Sequence, residues 1–216
     1  GALMSRTKKH YAAITDPADV GKLLVAIDSF AGTPIVRTAL QLSPILFARP
    51  GEIRAMEWLE INWDESQWEL PAGKMKMSQP HIVPLPTQAL ALLREIEKQT
   101  AHRSKYVFPS QRGASRPLSD NAVRTAMRTM GYDNDTMTPH GFRAMARTIL
   151  DEVLNWRVDY IEHQLAHAVR DANGRAYNRT AHLEGRREMM QAWGDYLDGL
   201  KVATLAGNVI TAKFGK

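Results

Sequence analysis

Residues 59–85 read LEINWDESQWELPAGKMKMSQPHIVPL, and this stretch decides the fold class. Glu60–Trp63, Gln67–Leu70 and His81–Val83 are short runs rich in β-formers, separated by Asp-Glu-Ser and Pro-Ala-Gly punctuation. That is the pattern of a small three-stranded antiparallel sheet. Helical spacing surrounds it. Upstream, Asp16-Pro17 makes an N-cap and first-turn pair, and Val20, Leu23, Leu24 and Ile27 recur at helical intervals until Ala31-Gly32, which predicts a helix over 17–30. A second helix is expected from Pro34 towards Phe47, and a short third one over Glu52–Trp58. Downstream, helices are expected over Pro86–Gln99, Ser119–Met130, Gly141–Leu154, Asp159–Ala168 and Leu183–Leu200. One sheet inserted in a mostly helical chain makes an α+β domain.

The 216 residues suffice for one sizeable domain with its own core. Its expected limits are 15–200. Gly1–Met4 (GALM) reads as a cloning remnant and Ser5–Ile14 is basic and without period, so 1–14 is expected to be remnant and interdomain linker, the natural protein extending further towards its N-terminus. Residues 201–216 are expected to form a tail that docks in cis or in trans. Hydrophobic residues make up 44% and charged residues 24%, and no apolar run approaches the roughly 18 residues of a membrane span. The chain has no cysteine, which excludes a disulfide framework, thiolate catalysis and Cys-ligated zinc and suits an intracellular protein. A net charge of +5 and a pI near 9.5 favour a polyanionic partner, because phosphates neutralised by Lys and Arg release condensed counterions.

Five stretches hold groups suited to chemistry: Arg49 in FARPGEIR, Lys76 in GKMKMSQPHIVPL, His140 and Arg143 in TPHGFRAMART, His167 in HQLAHA, and Tyr177 in RAYNR. Taken singly, each is more often a surface or packing residue. Their order carries the argument. Arg, a Lys in a β-hairpin, His-x-x-Arg, His, and Tyr ten residues later resembles the tyrosine recombinase family throughout 14–200. Arg49-Pro50-Gly51-Glu52-Ile53 is similar to the family's Arg, two residues, Glu and apolar pattern, and Val83-Pro84-Leu85 to the end of its hairpin. Counting back from that end matches Lys76 to the family lysine, with Lys74 two residues away and on the same side if the segment is a strand. Gln164-Leu165-Ala166-His167 resembles the Leu-Gly-His box, with Ala166 in place of the usual Gly, and Tyr177 then falls where the nucleophile belongs, one residue later than is common. Tyr160 and Tyr196 are the other tyrosines nearby. The wording RPGE, MKM, HGFRAMA and LAHA resembles the prophage and genomic-island integrases.

The resemblance implies a mostly helical catalytic domain that cuts and rejoins DNA at attachment sites through a 3′-phosphotyrosine bond. It implies no cofactor, action as a homotetramer on double-stranded DNA, accessory DNA-bending or directionality proteins, and a cytoplasmic, nucleoid-associated setting. The chemistry fits the residues. A phosphodiester under attack gains charge on its nonbridging oxygens, and Arg49 and Arg143 offer planar forks that stay charged and pair with phosphate. A phenol with an unperturbed pKa near 10 needs a base or strong positive charge nearby, and His140 is the candidate. The resemblance assigns proton donation to the leaving 5′-oxygen to Lys76 and a further phosphate hydrogen bond to His167.

Three other readings compete. His163 and His167 stand at i and i+4 as zinc ligands do, but Gln164 occupies the position where the familiar motif has its glutamate base. A type IB topoisomerase shares the catalytic residue types, and a catalytically silent DNA-binding module would keep the fold. The methionines at 127, 130, 145, 189 and 190 and Trp58, Trp63 and Trp68 read as packing residues, while Arg186-Arg187 reads as a phosphate contact or a solvated face.

Overall fold

The Asp16 carboxylate accepts hydrogen bonds from the N–H groups of Ala18 and Asp19 and opens α1 (Pro17–Asp28). Thr33 caps α2 (Pro34–Leu46) in the same way through the N–H of Val36. Both helices also begin with proline, which lacks the amide that a first turn leaves unpaired. The computed structural model describes residues 11–76, 78–167 and 182–207; Tyr177 and most of the expected tail lie outside them. The elements that follow are α3 (Pro50–Arg54), β1 (Ile61–Asn62), β2 (Gln67–Leu70), β3 (His81–Pro84), α4 (Thr87–Thr100), β4 (Pro109–Ser110), β5 (Gly113–Pro117), α5 (Ala122–Thr129), α6 (Gly141–Glu152), α7 (Val158–Gln164) and α8 (Leu183–Leu205).

The expected sheet is present. Strands β1, β2 and β3 pair antiparallel in sequence order, with Ile61 opposite Trp68 and Trp68 opposite Val83. Helix α2 is the hub of the rest, packing against α1, α3, α4, α5, α6 and α8. Its Ala39, Leu40 and Leu42 are fully buried among Leu23 of α1, Leu93 of α4, Met145 and Ile149 of α6, and Met189 and Trp193 of α8, in one continuous core. The first and last helices meet closely. A Cβ on Gly21 would stand 2.2 Å from Thr204 Oγ1 and 2.9 Å from the Leu200 carbonyl, so α1 can lie against α8 at this spacing only with no side chain there. Trp193 also donates from Nε1 to the Pro44 carbonyl at 3.0 Å, tying α8 to the last turn of α2.

Several expectations need correction. The third helix ends at Arg54, and a 3-10 turn over Trp58–Glu60 leads into β1. The sequence does not announce a second, two-stranded sheet, β4 with β5, because GASRP has neither alternation nor β-branched residues and is held by backbone pairing with β4 and by the Ser104 hydroxyl donating to the Ala114 carbonyl. The segment that carries Lys74 is a 3-10 turn, Ala72–Lys74, so strand alternation does not relate Lys74 to Lys76. Helix α7 stops at Gln164 rather than Ala168, which removes His167 from the helical face of His163. Arg186 is neither solvated nor at the surface: it is fully buried. Among the described residues no helix is long and apolar enough to cross a membrane.

Candidate active site

The site is built from the ends of helices. Pro44 and the left-handed Phe47, at φ 36°, end α2 and turn the chain, so that the Phe47 carbonyl faces α6 and Arg49 starts α3. Glu52, one turn into α3, accepts both the Arg49 main-chain N–H at 2.9 Å and its Nη1 at 2.7 Å. This ion pair is largely buried, and it fixes the direction of the guanidinium.

Arg143 enters from α6. Its Nη1 donates to the Phe47 carbonyl at 3.0 Å and its Nη2 to the Leu165 carbonyl at 2.8 Å. Arg49 Nη2 points at the next carbonyl, that of Ala166, at 3.4 Å. Two arginines 94 residues apart in sequence therefore rest on adjacent peptide groups. Burial, and then the charge of Arg49, push the Arg143 guanidinium down to about 10, which leaves it charged at neutral pH. His167 completes this side, its Nε2 lying 3.3 Å from Arg143 Nη2.

His140 sits just before α6, where Gly141 allows the N-terminal segment to approach: a Cβ at Gly141 would lie 2.3 Å from the Ala12 carbonyl. That segment places the Tyr11 ring on the His140 ring at 4.6 Å between centroids. Partial burial, and then the charges of Arg143, Arg49 and Arg124, lower the His140 pKa, so the imidazole is neutral and free to accept a proton at neutral pH. It opens on a cleft lined by Tyr11, Arg54, Asn121 and Arg124. Lys74 is tied down by Glu57 at 2.9 Å, by Glu60, and by the Ala55 carbonyl at 2.9 Å. Lys76 is exposed, and no ion pair holds its ammonium among the described residues. The arrangement thus brings together Arg49, Arg143, His140 and His167, leaves Lys76 on the connection between β2 and β3, and does not include Tyr177 among the described residues.

Residues 14–183 match the model of the phage integrase family. The chain belongs to that family. It is 39% identical to the integrase of Enterobacteria phage P4 over 212 residues, covering 92% of this chain and 48% of that protein. The chain spans about half the length of the curated relatives it matches. Among solved structures, the catalytic core of lambda integrase superposes with a TM-score of 0.53 at 20% identity, covering 78% of this chain and 98% of that one. A lambda integrase tetramer bound to a Holliday junction superposes with a TM-score of 0.58 at 17% identity, covering 78% and 50%. The integrase fold is therefore shared where little of the sequence is.

Several residues that shape this site escaped the sequence reading. Glu162 on α7 takes His167 Nδ1 at 2.5 Å and Arg147 Nε at 2.7 Å. Nothing in the spacing of Glu162 and His167 announces this, because they meet only through the turn that ends α7. Arg186 donates to Gln164 Oε1 at 2.7 Å and to the Ile82 carbonyl, joining α8 to α7 and β3. Here a signal existed: Arg186 shares the helical stripe of Met189, Met190, Trp193 and Leu197, all buried. His81 on β3 is buried with Nε2 3.2 Å from the Gln164 carbonyl, and burial with the charge of Arg186 pushes it to about 3, a neutral strut between β3 and α7.

Proposed function

We propose that the chain is the catalytic domain of a site-specific DNA recombinase that integrates or excises a prophage or genomic island. The supporting observation is the pair of guanidiniums, Arg49 and Arg143, braced on neighbouring carbonyls beside His167 and His140. Their remaining N–H groups suit the two nonbridging oxygens of one scissile phosphate. In this reading the phenolic oxygen of Tyr177 attacks phosphorus, its proton passing towards the neutral His140. The bond to the 5′-oxygen breaks as Lys76 supplies that oxygen's proton, leaving a 3′-phosphotyrosine. His167 adds a hydrogen bond to the phosphate. A 5′-hydroxyl from another strand reverses the step, because the phosphotyrosine linkage keeps the energy of the original diester.

The partners in this reading are double-stranded DNA attachment sites, a homotetramer on that DNA, and accessory DNA-bending or directionality proteins, within the bacterial cytoplasm at the nucleoid. The lambda integrase tetramer on a Holliday junction supports the tetrameric part by its shared fold. Incubation with a nicked duplex carrying the attachment site tests the chemistry: a covalent protein–DNA adduct is expected, and Tyr177→Phe should abolish it while leaving DNA affinity within a few fold. An adduct that persists in Tyr177→Phe would move the nucleophile to Tyr160 or Tyr196.

A further inference from the structure

The turn that ends α7 holds His167 from two directions, and both hands belong to Glu162. After Gln164 the chain passes through Leu165 and enters the left-handed region at Ala166, φ 50°. The Ala166 N–H then donates to the His163 carbonyl and the His167 N–H to the Glu162 carbonyl, each at 3.0 Å. This double closure is a Schellman motif. In its usual form an apolar contact accompanies it between the residues that stand here as Glu162 and His167. In this chain that contact is replaced by a carboxylate–imidazole hydrogen bond of 2.5 Å, Glu162 Oε2 to His167 Nδ1.

We propose that Glu162 is a positioning residue for His167: its carboxylate accepts a hydrogen bond from Nδ1–H, turns Nε2 to the phosphate site, and steadies positive charge on the ring during strand cleavage. The proposal rests on the reading that His167 meets the scissile phosphate.

Among the described residues, the charged groups around the ring come from α6, α7 and the start of α3. Glu162 lies behind it on α7, and Arg143 on α6 stands 3.3 Å from Nε2. Arg147, also on α6, donates to the second oxygen of Glu162 and pairs with Asp151 at 3.7 Å. Arg49 ends on the adjoining Ala166 carbonyl. Burial opposes the charge on Glu162, but the hydrogen bonds from His167 and Arg147 together hold it below the ordinary carboxylate range. With Nδ1 committed to a carboxylate, a neutral ring can only accept at Nε2, as it does from Arg143. To donate to phosphate from Nε2 while Nδ1 keeps its proton the ring must carry a second proton, and the Glu162 carboxylate lies against that charge at 2.5 Å. The turn thereby fixes which nitrogen faces the DNA, and the carboxylate fixes what that nitrogen can do.

The test uses Glu162→Gln in the full chain, because Gln preserves the volume, the helix and the main-chain closure of the turn. Ring nitrogen chemical shifts of His167 should show a proton on Nδ1 in the parent chain and a loss of that preference in the variant. Single-turnover adduct formation on a nicked duplex should fall roughly tenfold in the variant, the scale on which a lost orienting partner acts, with DNA affinity unchanged. In a His167→Gln background, Glu162→Gln should cost nothing further. Ring signals and an adduct rate that both stay unchanged in Glu162→Gln would overturn the proposal and leave the site's function intact. Undiminished adduct formation in His167→Gln would instead sink the phosphate role of His167, and the cleavage part of the proposal with it.

Discussion

The two sides of the site are built in opposite ways. On one side Arg49, Arg143 and His167 are each clasped by carbonyls or a carboxylate, on elements that pack into the core. On the other side Lys76 stands exposed on the connection between β2 and β3, while its neighbour Lys74 is held by Glu57, Glu60 and the Ala55 carbonyl. Charge that appears on two nonbridging oxygens is best met by groups already in place, since they need no reorganisation as the charge develops. A proton delivered to a departing oxygen needs a donor that can follow it, and a solvated ammonium on a turn has that reach.

The largest expected effect is at that turn. Lys76→Ala should lose roughly two to four powers of ten in cleavage. A substrate with sulfur in place of the bridging 5′-oxygen, whose leaving group needs no proton, should restore it. The same substrate should not rescue Arg143→Ala, whose deficit lies at the nonbridging oxygens. Lys74→Ala should keep its cleavage rate and lose stability instead, because Glu60 would be left without its cation and Glu57 with Lys105 alone. If sulfur rescues Lys74→Ala and not Lys76→Ala, the contrast between the held lysine and the free one has been assigned the wrong way round.

The next effect probes the fixed side. Arg186→Met removes the donors that join Gln164 on α7 and Ile82 on β3 to α8, and leaves two buried acceptors unpaired. A loss of about 3 kcal/mol in denaturant unfolding is expected. A loss below about 0.5 kcal/mol, the scale of a surface substitution, would show that this side is not held from behind.

The smallest effect falls at Ala166, where a non-glycine residue stands at φ 50° between the carbonyl-bearing Leu165 and His167. Ala166→Gly should relieve the left-handed strain and raise stability by up to about 1 kcal/mol, a net gain because glycine's extra unfolded-state freedom offsets part of the relief. Thermal unfolding reads this as a rise of a few degrees at most.

How much of this was legible follows from what each residue depends on. Helices α1, α2 and α4 could be read because the Asp16 cap, prolines such as Pro17 and Pro34, and apolar residues such as Leu23, Leu24 and Ile27 act within a turn or two of themselves. The three-stranded sheet was legible from its β-formers, whereas β4 and β5 were not, since Gly113–Pro117 carries no such residues. At the site, Arg49, Arg143, His140 and His167 could be named from motif order. What holds them could not. Glu162 reaches His167 only because Ala166 reverses the chain, and Arg186 finds Ile82 across 104 residues. An arginine on the stripe of Met189 and Trp193 was a warning in plain sight, outweighed by the habit of placing arginine in water.

The carbonyls on which the arginines rest have a consequence for the chain during its synthesis. Arg49 is held from Ala166, 117 residues later, and Arg143 from Leu165, 22 residues later. Helix α2, on which Arg49 follows, is pinned by Trp193 at a separation of 149 residues, and α1 is closed over by Thr204 and Leu200. A nascent chain grown only to α6 already contains both arginines, His140 and the Phe47 carbonyl that takes one arm of Arg143, but not the Leu165 and Ala166 carbonyls that take the others. Translation adds roughly 5–20 residues per second, so several seconds pass before α8 emerges and the hub helix finds its partner. On the proposed function, the site is completed only once α7 and α8 have emerged, and a polypeptide still tethered to the ribosome beside nucleic acid carries it unassembled.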